Sequence, residues 1–183
     1  MNKTVVIFES KYGYTKRYAD WIAAALECPV TERKNCSAKM LENFETILYG
    51  GGLYAGGVRG IKLLTQNWQL LSGKNVILFT CGIADPAKEE NILHIRKALA
   101  NHLPQEIMDQ IHIFHFRGGM DYSRLSIAHR AMMSMMRKML LKKEESERSD
   151  EDRMLLDTYG KQLDFTDRES IAPLIRFVSE MTA

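Results

Sequence analysis

A short stretch near the N-terminus has the residue types and spacing of an anion-binding turn. It is Ser10-Lys11-Tyr12-Gly13-Tyr14-Thr15, and it joins an apolar run to a segment, Lys16 to Leu26, that predicts a helix. The N–H groups of such a turn and the positive helix end point at one spot, where Ser10 and Thr15 can add hydroxyl donors. No Lys follows a glycine as in nucleotide-triphosphate loops, which favours a single phosphate over ATP or GTP. A capped turn without a ligand explains the same residues, and both interpretations stay open at this point.

Composition places the chain among ordinary globular proteins. It has 183 residues, of which 45% are hydrophobic and 26% charged, and this predicts one domain with a sizeable core. No apolar run approaches the ~20 residues that span a bilayer, and no signal-peptide pattern is present, so we expect a cytoplasmic protein. Three cysteines without C-x-x-C pairing indicate reduced thiols, and five histidines without ligand spacing predict no metal site. The net charge of +2 gives no reason to expect a nucleic-acid partner.

Predicted strands and helices alternate along the chain. Apolar runs predict strands at Val5–Phe8, Phe44–Gly50, Val76–Thr80 and Ile111–Phe116, with a weak edge strand at Val30–Arg33. The predicted helices include Ile61–Leu71, one opened by Asp85-Pro86, and a last one opened by a capping box at Thr166–Glu169, with Pro173 kinking it or delaying its start. This order predicts an α/β fold with a five-stranded, parallel, doubly wound sheet, and ligands at the carboxyl ends of its strands.

Two more turns at that edge of the predicted sheet have the character of binding loops. Six of the eleven residues from Gly50 to Gly60 are glycine, and Tyr54 among them can stack on a flat ring. Thr80–Ala84 consists of small residues that leave room for the same ring. Gly50–Ala55 also fits the dinucleotide pattern G-x-G-x-x-[GA], but no Asp or Glu lies between Thr46 and Ala84, which argues against NAD.

Three loops of this kind in this order resemble those of the flavodoxin family, and Ser10–Thr15 fits the family's phosphate signature, [ST]-x-[TY]-G-x-T. The resemblance covers residues 1 to about 117 and 166 to the end, and it implies an FMN cofactor. For the FMN phosphate it implies Ser10, Lys11, Tyr12, Gly13, Tyr14 and Thr15. For the isoalloxazine ring it implies Gly52, Leu53, Tyr54, Ala55, Gly56, Thr80, Cys81, Gly82 and Ile83. Arg117-Gly118-Gly119, after the fifth strand, either contacts the ring or substrate or simply turns the chain.

The sequence departs from the family in its charge. Typical flavodoxins are strongly acidic and carry an aromatic residue in the last flavin loop, whereas Thr80–Ala84 has none and Thr46–Ala84 has no acid. Carboxylates near the ring would repel an anionic, fully reduced flavin. We therefore predict a second reduction potential less negative than that of a typical low-potential flavodoxin, and a partner surface of different charge.

An insertion, residues 120–165, separates the fifth strand from the last helix. Tyr122–Lys143 predicts one basic helix without acids, whose apolar stripe comprises Leu125, Ala128, Met132, Met135, Met136 and Met139, and Glu144–Asp152 predicts an exposed loop. Such a helix packs as ordinary core, forms a homo-oligomer contact or lies on an anionic membrane. A similar basic, apolar insertion followed by a polar run occurs in the menaquinone-dependent protoporphyrinogen oxidase branch of the family, which favours the membrane and implies a quinone.

The leading hypothesis is an FMN-binding redox protein that transfers electrons or hydride to a partner protein or a small oxidised substrate. The flavin would carry the chemistry, and no catalytic side chain is assigned. One alternative is a quinone-dependent protoporphyrinogen oxidase at the cytoplasmic face of a membrane. Another is a flavodoxin fold used as a binding module without flavin.

Overall fold

The structure, a computed structural model, describes residues 3–54 and 57–182. These residues form two compact units. One contains residues 3–118 and 166–182, and the other is Gly119–Phe165. The second unit starts and ends within one residue of the predicted insertion, 120–165. The organisation of residues 1–183 as a single domain stays a prediction.

A parallel sheet lies inside the first unit. The strands of this unit are β1 (Thr4–Glu9), β2 (Val30–Glu32), β3 (Thr46–Tyr54), β4 (Gly57–Val58), β5 (Asn75–Gly82) and β6 (His112–Arg117). Five of them run parallel in the order β2-β1-β3-β5-β6, and β4 pairs antiparallel with the end of β3. The predicted five-stranded, doubly wound sheet is therefore confirmed, with β2 at an edge.

Helices cover both faces of this sheet. The helices of the described residues in both units are α1 (Tyr14–Ala25), α2 (Ala38–Glu42), α3 (Lys62–Gln66), α4 (Trp68–Leu71), α5 (Glu89–Ala100), α6 (Gln105–Met108), α7 (Ile127–Lys142), α8 (Asp150–Asp157) and α9 (Ala172–Thr182). Successive strand side chains point to opposite faces. Ile7 and Leu78 therefore pack with α2 to α6, while Phe8 and Phe79 pack with α1 and α9.

Two predicted helices differ in the structure because polar side chains bond to nearby backbone. The helix predicted over Ile61–Leu71 is broken at Asn67, whose side-chain amide donates to the Leu63 carbonyl at 2.8 Å. Asp85 was expected to cap a helix, but its carboxylate accepts from the Ala87 N–H at 3.0 Å and closes a turn. Helix α5 begins only at Glu89.

The last helix also starts later than its predicted capping box. Asp167 accepts from the Glu169 N–H at 2.9 Å and leads into a 3₁₀ turn, Glu169–Ile171, before α9 begins at Ala172. Pro173 is thus near the helix start, where a missing N–H costs little, and the delayed start is confirmed. Thr166, expected at the cap, instead accepts from the Arg17 guanidinium at 2.6 Å.

The second unit contains more secondary structure than the sequence predicts. Strands β7 (Gly119–Asp121) and β8 (Gln162–Asp164) pair antiparallel. The helix predicted over Tyr122–Lys143 is confirmed for Ile127–Lys142, which is α7. Its predicted start is wrong, because a 3₁₀ turn, Tyr122–Arg124, comes first and the Ser126 hydroxyl then accepts from the His129 N–H. The loop predicted over Glu144–Asp152 is also wrong in part, because Ser149 and Asp152 form a capping box that starts α8.

Helix α7 leaves large apolar side chains in solvent. Ile127 is 89% exposed, Met135 61% and Met139 62%, whereas Met133 and Leu140, outside the predicted stripe, are buried. Within residues 3–54 and 57–182 no helix is both long enough and apolar enough to cross a bilayer.

Candidate cofactor site

The turn after β1 has the form expected of an anion cradle. Gly13 has φ +96°, in the left-handed region, and is the N-cap of α1. Its N–H donates to the Ser10 hydroxyl at 3.1 Å, which leaves the Ser10 O–H as an outward donor. Gly13 offers no side-chain acceptor to the first N–H groups of α1, and the first turn of that helix has no acid.

Cationic side chains surround this turn. The Lys11 ammonium lies 5.5 Å from the centre of the Tyr12 ring, and the Arg17 guanidinium lies 5.9 Å from that of Tyr14. Thr15 is only 2% exposed, so its hydroxyl faces the interior. Positive charge and the end of α1 both favour an anion here.

The second predicted loop is largely strand. Gly50 to Tyr54 belong to β3, which pairs with β4 through Leu53–Val58 and Tyr54–Gly57, and Ala55 and Gly56 lie outside the described residues. Tyr54 leaves the sheet at its carboxyl edge. Its ring centre is 6.0 Å from that of Tyr12, at an interplanar angle of 60°, and 5.9 Å from the Arg59 guanidinium. Tyr54 thereby joins the second segment to the first.

The third segment also continues a strand, because Thr80, Cys81 and Gly82 lie in β5. The Thr80 hydroxyl is fully buried and bonds to His115 Nδ1 at 2.7 Å, so only the backbone of Thr80 remains for a ligand. Ile83 is held by Arg117, whose Nε donates to the Ile83 carbonyl at 3.2 Å and whose Nη1 lies 3.3 Å from Asp85.

These three segments meet at one place on the sheet edge. Gly52 and Cys81 are partners in the register of β3 and β5. The Gly118 N–H donates to the Gly82 carbonyl at 2.6 Å, and a Cβ on Gly118 would lie 2.7 Å from Cys81 Sγ and 3.5 Å from Tyr14 Cβ. The structure therefore brings the phosphate turn beside the other two predicted segments. Gly118 packs between them.

Two carboxylates from outside the acid-free stretch Thr46–Ala84 also lie at this edge of the sheet. Glu9, the last residue of β1, lies 3.0 Å from Arg59, and Asp85 pairs with Arg117. Sequence reasoning missed both because their partners are distant along the chain. Each carboxylate is balanced by an arginine, which limits the repulsion that it would exert on a nearby anion.

Burial shifts the pKa of two side chains in this region. It raises the pKa of Tyr54 to about 12, with nearby Cys81 and Tyr12 adding to the effect, so Tyr54 is a neutral phenol at pH 7. It lowers the pKa of His115 to about 4, with Arg96 adding repulsion, so this imidazole is neutral and can bond to Thr80. Among the described residues no group of His, Cys, Asp and Glu could hold a metal ion.

The residues at this edge fit FMN. The Gly13 turn and the start of α1 can bind a phosphate, and Tyr12 and Tyr54 can contact a flat ring. Thr80 fits only through its backbone, and Ala55 and Gly56 are outside the described residues.

Comparison with known protein families finds a match to one family. Residues 5–148 match the family described as the flavodoxin domain. Among solved structures, the chain is similar to oxidised Flavodoxin 2 from Bacillus cereus, with 21% identity over 62% of this chain and 84% of that chain and a TM-score of 0.41. It is also similar to two-electron reduced Megasphaera elsdenii flavodoxin, with 14% identity over 62% and 82% of the two chains and a TM-score of 0.42. No curated protein matches the sequence.

Proposed function

Since the chain belongs to the flavodoxin family, we propose that it binds FMN and transfers electrons or hydride to a partner protein or a small oxidised substrate. One observation carries the proposal: the Gly13 turn, Tyr54 and Cys81 converge at the carboxyl edge of the parallel sheet. A ligand that has both a phosphate and a flat ring can use all three at once. FMN is such a ligand, and it supplies the redox chemistry when bound.

The residues have separate roles in this proposal. The N–H groups at the start of α1 and the Ser10 hydroxyl hold the phosphate, and Lys11 adds positive charge. Tyr12 and Tyr54 flank the ring. Arg117 fixes the third segment through its bonds to Ile83 and Asp85, so that the backbone from Thr80 to Ile83 keeps a defined position beside the ring. These roles are binding and positioning roles.

The charges at the edge support a second reduction potential less negative than that of typical low-potential flavodoxins. Glu9 and Asp85 are each paired with an arginine, and Thr46–Ala84 supplies no acid. Little net negative charge then opposes an anionic, fully reduced flavin. A redox titration of the FMN-loaded protein measures this, and a potential as negative as theirs would contradict the charge argument.

Titration with FMN tests the proposal itself. We expect a saturable change in flavin absorbance and quenching of flavin fluorescence as the ring leaves water. A protein that stays colourless and changes neither signal binds no FMN, which would favour the binding module without flavin. Reduction and reoxidation of the loaded protein with candidate partner proteins, quinones and porphyrinogens would then identify the donor and the acceptor.

A second candidate function is quinone-dependent protoporphyrinogen oxidation at the cytoplasmic face of a membrane. The observation that favours it is α7, which exposes Ile127, Met135 and Met139 and contains four cationic residues and no acid. Apolar side chains next to cationic ones are typical of helices that lie on anionic membranes. A quinone dissolved in that membrane would then be close to the protein.

Vesicle flotation tests this second candidate. We expect the protein to float with phosphatidylglycerol vesicles and not with phosphatidylcholine vesicles, and the double variant Met135→Ser/Met139→Ser to lose flotation. The matched control is Leu93→Ser, because Leu93 on α5 is also 60% exposed but lies in the first unit. Failure to float at low salt would remove the support for the oxidase. If light scattering shows a dimer and the double variant is a monomer, α7 would instead be assigned to a homo-oligomer contact.

A further inference from the structure

A pocket of about 360 Å³ opens beside β4, on the part of the first unit where β1 and β3 end. The residues that matter in its lining are Glu9, Arg33, Gly57, Gly60, Lys62 and His102. None of Ser10 to Thr15, Gly52 to Tyr54 and Thr80 to Ile83 lines it. The pocket is thus separate from the described residues of the segments proposed to bind FMN.

Positive charge exceeds negative charge around this pocket. Glu9 is its single lining carboxylate, with Oε1 at 3.0 Å from Arg59 Nη2 and Oε2 at 3.7 Å from Arg33 Nε. Lys62, also in the lining, has no ion-pair partner among residues 3–54 and 57–182. The lining cations Arg33 and Lys62 exceed the one lining carboxylate by one positive charge, and Arg59, which pairs with Glu9 but does not line the pocket, adds a second nearby. In a recess partly shielded from water, such an excess attracts an anion.

Hydrogen-bond donors are also left over. The Nε atoms of Arg33 and Arg59 are buried and have no hydrogen-bond partner within the described chain. Buried donors without partners are rare in folded proteins, and these two Nε atoms, although closed to solvent, add positive potential beside Glu9. The His102 ring lies at the same rim, with Nε2 3.2 Å from where a Cβ on Gly57 would be.

The backbone holds this arrangement in place. Gly60 has φ +68°, and a Cβ there would overlap the Tyr49 hydroxyl, the Glu9 carboxylate and the Arg33 side chain. The Tyr49 hydroxyl, buried under this turn, donates to the Arg59 carbonyl at 2.6 Å. The close packing around Gly60 keeps the two arginines beside Glu9 without a ligand, so an anion would meet a site that is already formed.

We propose that this pocket binds a small oxyanion, namely a carboxylate or phosphate group on a small molecule. Arg33 supplies a planar set of donors, and Lys62 and His102 supply further donors at the rim, while Arg59 neutralises Glu9 from outside the lining. Glu9 holds the arginines and keeps the net charge moderate. The volume is at the low end for ligand pockets, which suits a phosphate ion or a short dicarboxylate and not a nucleotide. Arg59 connects Glu9 in this pocket to Tyr54 in the proposed flavin site.

An NMR titration of the FMN-loaded protein tests the proposal, because FMN keeps the phosphate turn occupied. Inorganic phosphate and succinate are added separately at constant ionic strength, with chloride as the reference salt. We expect saturable shifts of the Arg33 and Arg59 ¹⁵Nε signals and of the Gly60 amide. The side chains of Lys62 and His102 are exposed, so the double variant Lys62→Gln/His102→Gln will fold, and we expect it to bind the probes about tenfold more weakly.

The control is Lys39→Gln, which removes an exposed cation from α2, away from the pocket, and should leave the affinity unchanged. Absence of saturable shifts with both probes, or equal affinity in the double variant and in the parent protein, would overturn the proposal. A response to phosphate alone or to succinate alone identifies which oxyanion the pocket accepts. If the protein binds no FMN, the same titration is read at the pocket signals of the flavin-free protein, so the two proposals fail separately.

Discussion

Substitution of Gly13 by alanine separates backbone strain from ligand binding. Gly13 has φ +96°, and a Cβ at this position would meet no atom within 4 Å. The methyl group therefore clashes with nothing, and the cost is conformational. A non-glycine residue in the left-handed region costs about 1–2 kcal/mol. The alanine also lowers the conformational entropy of the unfolded chain, which offsets a few tenths of a kcal/mol of that cost. We expect a net loss of about 1 kcal/mol in the free energy of unfolding.

FMN affinity should fall by more than this strain requires. The methyl group would stand in the open space in front of the turn, where the phosphate is proposed to bind. Loss of one hydrogen bond to a charged group costs about 1.5–3 kcal/mol, which corresponds to at least a tenfold weaker complex. Urea unfolding of the flavin-free protein measures the first effect, as a midpoint shift of about 0.5 M. Quenching of flavin fluorescence measures the second.

Gly73 provides a matched control in the same unit. It has φ +92°, and a Cβ there would also meet no atom within 4 Å, but it lies between α4 and β5. Gly73→Ala should therefore lower stability as much as Gly13→Ala and leave FMN affinity unchanged. Equal FMN affinity in the two variants would refute the assignment of the phosphate site. A fully stable Gly73→Ala variant would refute the reasoning from φ.

Three further predictions concern buried polar groups and one turn. Tyr18→Phe removes bonds to the Arg117 carbonyl and the Asp167 N–H and should lower the free energy of unfolding in urea by about 1–3 kcal/mol. Tyr122→Phe removes a buried hydroxyl that has no hydrogen-bond partner among the described residues, and it should be neutral or stabilising. Because the pKa of His115 falls from 6.5 to about 4 on folding, the unfolded chain binds more protons between these values. Stability should therefore drop by at most about 3 kcal/mol from pH 7 to pH 4, and less in His115→Gln; an unchanged pH dependence would count against a buried, neutral imidazole. Gly60→Ala should lower the midpoint in urea more than Gly13→Ala does, since it adds overlap to strain.

Local patterns were enough to predict the strands and their parallel arrangement in one sheet. The apolar runs of β1, β3 and β5 show burial on both faces directly. The stretch Ser10 to Thr15 follows a predicted strand and leads into a predicted helix, and both are recognised from residues close to it in the sequence. Helix starts were predicted less well, because Asp85 and Ser126 can each bond to backbone a few residues away in more than one geometry.

The ends of β3 and β5 were predicted as loops because their residues are small or glycine. In the structure they remain strands, since Gly52 and Cys81 each find a pairing partner in the register of the sheet. Pairing is a property of two segments, and neither segment alone reveals it. For the same reason, the bond from the Gly118 N–H to the Gly82 carbonyl could not be predicted from either stretch.

What the sequence determined by itself is the turn from Ser10 to Thr15, because these residues need only their own backbone to form it. What only the tertiary structure decided is which charges and rings stand around that turn. Glu9, Arg33 and Arg59 come together from three different segments, and Tyr54 at the end of β3 reaches Tyr12 in the turn after β1. Such contacts depend on strand order and register, which arise from the packing of the whole unit and not from any one stretch.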